Sequence, residues 1–164
     1  MAELRIRPFA AGDRQWALHL VCERWGSETV VTRGAVHRPA ELPGFVAVRR
    51  GERIGLVTYN VDQDGCQIVS LDSVEQGIGV GTALIEATER WAWQQGCTRL
   101  WLVTTNDNVE ALRFYQKRGF VLVELHRDAV EASRRLKPAI PTVGAHGIPI
   151  RDEIELEMIL NREA

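Results

Sequence analysis

The chain predicts an α+β fold: a mixed, mostly antiparallel central sheet with helices on both faces. Three observations carry that prediction. Between Phe45 and Leu71 the apolar residues recur with a period of two, interrupted by two short turn signals. A stretch of alternating glycines, Gly77, Gly79 and Gly81, then joins an apolar run to a long helical pattern. Beyond it, helix-like and strand-like segments alternate as far as Leu160.

Leu4, Ile6 and Pro8 alternate with Arg5 and Arg7, which suits a short first strand ending at the proline. Asp13 is placed to cap a helix that carries Trp16, Ala17, Leu20 and Glu23 to Trp25, and Gly26 ends it. Residues 27–43 are irregular and leave a short second helix or a loop open. Phe45–Val48, Ile54–Val61 and Cys66–Leu71 read as three strands joined by Arg50-Gly51 and Asp62–Gly65, an antiparallel meander. Leu84, Ala87, Thr88, Trp91 and Ala92 follow at helical spacing up to Gly96.

Leu100–Thr104 is apolar on both faces, as a central strand is. Asn106, Asp107 and Asn108 supply turn and cap chemistry for a helix bearing Ala111, Leu112, Phe114 and Tyr115. Gly119 stops it, and Phe120–Leu125 reads as a strand. Ala129–Leu136 suits a helix before a long connection punctuated by Pro138, Pro141, Gly144, Gly147 and Pro149. Ile154, Leu156, Met158 and Leu160 alternate with Glu153, Glu155 and Glu157, which predicts a final strand with its glutamates in water. With no repeat, linker or low-complexity tract, residues 1–164 read as a single domain.

Composition narrows the classes of function. At 164 residues, with 45% hydrophobic and 26% charged residues, the chain has room for a proper core. A net charge of −2 argues against a broad nucleic-acid-binding face. No apolar run approaches a membrane span, and Met1–Arg5 lacks the apolar core of a signal peptide. Cys22, Cys66 and Cys97 are too scattered for a disulfide framework or zinc knuckle, and read as small buried thiols. His19, His37, His126 and His146 show no ligand spacing. The default is a cytoplasmic protein without metal, membrane or nucleic-acid partners.

The glycine stretch carries the chemistry. Glycines leave backbone N–H groups uncovered, and the helix that follows aims the positive end of its dipole at the same spot. That combination receives a phosphate or pyrophosphate, although a plain turn between strand and helix accounts for the glycines alone. The stretch reads Gln76-Gly77-Ile78-Gly79-Val80-Gly81-Thr82, and about 30 residues on come Asn108, Ala111, Phe114-Tyr115 and Gly119-Phe120. In this order and at this separation, the two signatures resemble those of the GNAT superfamily of N-acetyltransferases, over nearly the whole chain.

That resemblance implies a GNAT-like sheet with a splayed parallel strand pair and acetyl-CoA as cosubstrate. The amides of Gln76, Gly77, Ile78, Gly79, Val80, Gly81 and Thr82 would hold the pyrophosphate. Leu71, Asp72 and Ser73 would offer backbone groups to the pantetheine arm, with Asn108 and Ala111 contributing from the second signature. Tyr115 matches the family's general acid, which protonates the departing CoA thiolate; a phenol with a pKa near 10 stays protonated for that task. Its bland alternative is an amphipathic core tyrosine.

Asp72 is the best-placed carboxylate to take a proton from the acceptor amine, with Glu75 behind it; satisfying loop N–H groups is the equal alternative. Trp25, Arg33, His37 and Tyr59 lie where the family builds its acceptor pocket, and each suits packing or surface as well. The implied reaction is direct attack by a small-molecule or peptide amine within a ternary complex. A homodimer stays open, since dimers are frequent in the family and the final strand offers a pairing edge.

Two rival classes remain to be weighed. A dinucleotide-binding oxidoreductase needs G-x-G-x-x-G spacing and an acidic residue about 20 residues on, and a P-loop needs Gly-Lys-Ser or Gly-Lys-Thr; neither is present. A non-catalytic acyl-CoA sensor or interaction module would keep the pocket and lose the chemistry, and Tyr115 and Asp72 argue against it.

Overall fold

A computed structural model describes residues 2–161. In chain order the elements are β1 (Arg5–Pro8), α1 (Arg14–Trp25), β2 (Val30–Thr32), β3 (Ala35–His37), β4 (Gly44–Arg49), β5 (Glu52–Asp62), β6 (Gly65–Ser73) and α2 (Val80–Gln94). They continue with β7 (Arg99–Thr105), α3 (Val109–Lys117), β8 (Val121–His126), α4 (Ala129–Leu136) and β9 (Glu153–Ile159). These elements fall into two compact units, one running through residue 30, over 38–100 and from 159, the other over 31–37 and 101–158.

In the first unit β1, β4, β5 and β6 lie side by side, each antiparallel to the next. β7 begins in this unit, parallel to β6. Its first residue approaches so closely that a Cβ on Gly65 would stand 2.6 Å from the Arg99 carbonyl oxygen. The period-two pattern divides the sheet's faces. Val46 and Leu56 point towards α1, where they form a core with Ala17, Leu20, Val21 and Ala40. Gly55 lies on the opposite face, where its missing side chain admits Val80 and Leu84 of α2, since an added Cβ would meet Val80 Cγ1 at 2.5 Å. Helices therefore cover both faces here. Burying side chains of this size contributes roughly 1.5–3 kcal/mol each.

Asp13 does not cap α1 with its side chain. It is buried, and its carboxylate instead takes two hydrogen bonds from Arg7 (2.7 and 2.8 Å), one from Arg53 (2.8 Å) and one from the Ala10 N–H (2.9 Å). These donors, Arg7 foremost, hold it well below the usual carboxylate range. Two arginines from flanking strands outbid the local helix end. Gly26 does end α1, in the left-handed region at φ 77°, with its N–H on the Cys22 carbonyl. Cys22 itself is exposed, contrary to the buried-thiol expectation, because Ala17, Leu20 and Val21 take the core-facing positions; Cys66 is buried.

The second unit orders its strands β7, β9, β8, with β8 and β9 antiparallel. The final strand is thus internal, and β8 is the edge, which removes the pairing edge expected of β9. The irregular segment before Pro39 contains the β2–β3 hairpin in place of a helix or plain loop. Its turn residues Arg33 and Gly34 both have positive φ (50° and 75°), as a two-residue type I′ turn requires.

The glutamates of β9 reverse the expected exposure. Glu153 and Glu155 are buried (2% and 4%), while Ile154 is half-buried. Glu153 accepts from the Arg33 N–H at 3.0 Å and the Ser133 hydroxyl at 3.0 Å. Glu155 pairs with the Arg33 guanidinium at 3.1 Å. Leu156 on the other face is buried as expected (0%), so both faces of β9 are covered, and donors brought by the hairpin and α4 let the glutamate face be buried too.

Candidate functional site

The first unit carries the glycine turn. Gly77 (φ 78°) and Gly79 (φ 79°) both occupy the left-handed region, and a Cβ on either would have no protein atom within 4 Å. Glycine is needed there for backbone conformation, and the space beside it is open. Gly79 is the residue before α2, and as a glycine it brings no side chain of its own to cap that helix. Val80 is buried against Gly55 and so anchors the first turn, while Ile78 stays 39% exposed. The start of this 15-residue helix, entered through a glycine, has the backbone geometry and the dipole end to which an anion is attracted. Gly81 belongs to the helix's first turn, as do Val80 and Thr82.

β6 leads into that turn. Its register against β5 steps between Thr58–Ser70 and Tyr59–Ile68, which leaves Val69 as an extra residue. Such a bulge bends and twists the strand immediately ahead of Leu71, Asp72 and Ser73. Asp72 lies in the strand, not in a loop, and pairs opposite Leu56 on the face that α1 covers. Its carboxylate Oδ2 accepts a hydrogen bond from Trp25 Nε1 at 3.0 Å. Burial raises its proton affinity above that of an ordinary aspartate, opposed by the Trp25 hydrogen bond and by the charge of Arg24. Glu75 is held apart by an ion pair with Arg49 at 3.1 Å. Ser73 donates its hydroxyl to the Glu75 carbonyl, which stiffens the turn's entry.

Trp25 and Asp72, predicted separately, are therefore in contact. Arg24 was missed: its guanidinium donates to the Ser73 carbonyl at 3.2 Å, and an arginine at a helix end gives no local signal of a partner 49 positions away. Tyr59 is placed in the core, 4% exposed, with its ring 4.4 Å from that of Trp91 and 6.1 Å from that of Phe45. Burial pushes its phenol up to about 12. This ring packs α2 onto the sheet.

The second unit holds the other signature. Asn108 caps α3, its side-chain oxygen accepting from the Ala111 N–H at 3.2 Å. Tyr115 is the buried residue of α3, 8% exposed, edge-on to Phe114 (5.1 Å) and Phe120 (5.3 Å). Arg118 stacks over the Phe114 ring at 3.6 Å. His37 ends β3 and is half-buried. His126, without ligand spacing in sequence, meets Glu124 and Glu155 across β8 and β9, with all three donor atoms within 4.8 Å. One Glu155 oxygen serves both His126 (3.3 Å) and Arg33 (3.1 Å), so Glu155 ties the hairpin to the sheet through the Arg33 ion pair and a hydrogen-bond contact with His126.

Comparison with known proteins bears on both units. The model of the acetyltransferase (GNAT) family matches residues 6–120. The uncharacterized protein YdhI of Bacillus subtilis (strain 168) is 45% identical over 140 residues, covering 85% of this chain and 88% of its own length. Among solved structures, an IAA acetyltransferase from Bacillus cereus ATCC 14579 superimposes with a TM-score of 0.71 at 23% identity, covering 96% of this chain and 100% of that one. A GNAT family acetyltransferase from Elizabethkingia anophelis with acetyl-CoA bound gives 0.71 at 20% identity, covering 96% and 98%. At these identities the two structures speak for the fold alone.

Proposed function

Because this chain belongs to the GNAT family of acetyltransferases, we propose that it is an N-acetyltransferase moving an acetyl group from acetyl-CoA to a primary amine. The observation that carries the reading is the turn at Gly77 and Gly79, with positive φ, open space and a helix start entered through a glycine. A pyrophosphate receives backbone N–H groups and the positive end of the α2 dipole there, with no lysine required. Acetyl-CoA is the donor this receptacle serves, as it is the ligand of the Elizabethkingia relative. Leu71, Asp72 and Ser73 follow the Val69 bulge and pair with β5 on one side, and in this reading their backbone groups on the other side meet the pantetheine arm.

The amine attacks the thioester carbonyl directly in a ternary complex. Asp72 takes the proton from the acceptor ammonium; burial raises its proton affinity and makes it a stronger base than an exposed aspartate. As the tetrahedral intermediate collapses, Tyr115 gives its phenolic proton to the CoA sulfur, and solvent restores it. Trp25, a residue 38% exposed with its indole beside Asp72, lines the acceptor's approach. His37 is a second candidate for contact with the acceptor, a small-molecule or peptide amine.

Residues 1–164 act as one catalytic domain in this reading, since the family match takes in residues of both units. A cytoplasmic setting accords with three free thiols. Among the described residues, no helix is long and apolar enough to cross a membrane.

The test is release of free CoA thiol from acetyl-CoA across a panel of primary amines. Turnover of at least one amine, lost on Asp72→Asn, supports the reading. Tight acetyl-CoA binding without turnover of any amine would favour the sensor instead.

A further inference from the structure

The end of α1 grips two successive residues of β6. Trp25 Nε1 lies 3.0 Å from Asp72 Oδ2, and Arg24 donates to the carbonyl of the next residue, Ser73, at 3.2 Å. Gly26 stops the helix immediately afterwards, so this grip is the last thing α1 does. An exposed tryptophan that were only packing would bury its ring and leave its N–H to water; here 38% of the residue stays exposed while the N–H is committed to a carboxylate.

We propose that Trp25 is a positioning residue for the catalytic carboxylate: its indole N–H holds Asp72 Oδ2 and presents Oδ1 to the acceptor amine. The proposal rests on the reading of Asp72 as the base. The proton balance is simple. The acceptor's N–H bond breaks, an O–H bond forms on Asp72, and the nitrogen lone pair is freed to attack the thioester carbonyl. An N–H donor binds the anion more strongly than the neutral acid, so the indole also favours the form that accepts the proton. Burial works in the opposite direction. The charged group acting on Asp72 is Arg24 on α1, which assists the indole, whereas Glu75 in the following turn is paired with Arg49 of β4.

The experiment uses the full chain and does not depend on knowing the acceptor. In ¹⁵N–¹H spectra the Trp25 indole resonance, identified by its loss in Trp25→Phe, is expected to move with pH as Asp72 titrates and to stop moving in Asp72→Asn. In ¹³C-carboxylate spectra the Asp72 titration is expected to rise by about 1 pH unit in Trp25→Phe, the scale of one hydrogen bond to a charged group. Trp25→His, which keeps a ring N–H, should restore part of that shift. Acetyl-CoA affinity should stay within about twofold of wild type in both Trp25 variants, because the indole is assigned no contact with the donor.

An indole resonance indifferent to Asp72, or an unmoved Asp72 titration in Trp25→Phe, overturns the inference while leaving the base reading standing. Undiminished acetyl transfer by Asp72→Asn to the best amine of a panel containing ethanolamine, spermidine and an alanyl peptide overturns the base reading itself, and the positioning role falls with it.

Discussion

Replacing Gly79 by alanine separates what the glycine does for the fold from what it does for the donor. Gly79 stands at φ 79° and ψ 19° before α2. An alanine in that left-handed region costs about 1–2 kcal/mol. No protein atom lies within 4 Å of the added methyl, so backbone strain is its whole effect on stability. In a chain of this size that lowers Tm by roughly 2–8 °C. The methyl also occupies the open space at the mouth of the turn. Loss of one charge-assisted hydrogen bond from a helix-start amide to phosphate amounts to about 1.5–3 kcal/mol, hence roughly a 10–100-fold fall in acetyl-CoA affinity.

Gly51→Ala supplies the control. Gly51 has φ 76° with nothing within 4 Å, but it lies in the β4–β5 turn. It should lose similar stability and no affinity. Thermal denaturation of the free protein and calorimetric titration with acetyl-CoA read the two quantities. If Gly79→Ala binds acetyl-CoA as tightly as Gly51→Ala, the turn does not receive the pyrophosphate.

Three further perturbations test other parts of the argument. Tyr115→Phe removes the proposed proton donor and keeps the ring between Phe114 and Phe120, so kcat should fall about 10–100-fold with acetyl-CoA affinity nearly unchanged; an equal fall in both would make Tyr115 a packing residue. Asp13→Asn should cost about 2–3 kcal/mol in urea denaturation at neutral pH, since Arg7 and Arg53 lose a buried anion. Asp13's folded proton affinity is depressed, so its stabilisation is complete above its unfolded value near 3.9 and disappears as pH falls towards the folded one; the substituted protein should lose that part of its acid sensitivity. Glu153→Ala leaves the Arg33 N–H and the Ser133 hydroxyl without their acceptor, and hydrogen exchange should quicken in residues 31–37 and in α4. Unchanged protection there would show that the hairpin is held by other means.

Much of the first unit is legible locally because its information is local. The meander from Phe45 to Leu71 is written in period-two apolar residues and in turns whose geometry glycine permits, and β4, β5 and β6 follow it. The glycine turn needs no distant partner, because its conformation and its amides belong to the same few residues. Asn108 is legible for the same reason, its acceptor and donor being three positions apart. The β2–β3 hairpin escaped because an arginine holds the first positive-φ position of its turn, where Asn, Asp or Gly is the usual signal. Glu153 and Glu155 escaped because charge predicts exposure unless a partner is known, and Arg33 lies 120 and 122 positions away.

By itself the amino-acid order determined the alternating faces of the sheet, the helix that follows the glycines and the positive-φ turn that leads into it. Those depend on backbone dihedrals and on spacings of a few residues, which any chain of this order carries with it. Only the tertiary structure decided that Tyr59 is a core ring, that β9 lies inside its sheet with buried carboxylates, and that Trp25 reaches Asp72. Each of these depends on where a distant donor, strand or ring comes to rest. Burial and long-range hydrogen bonding are properties of packed pairs, and a linear order of residues does not state its pairs.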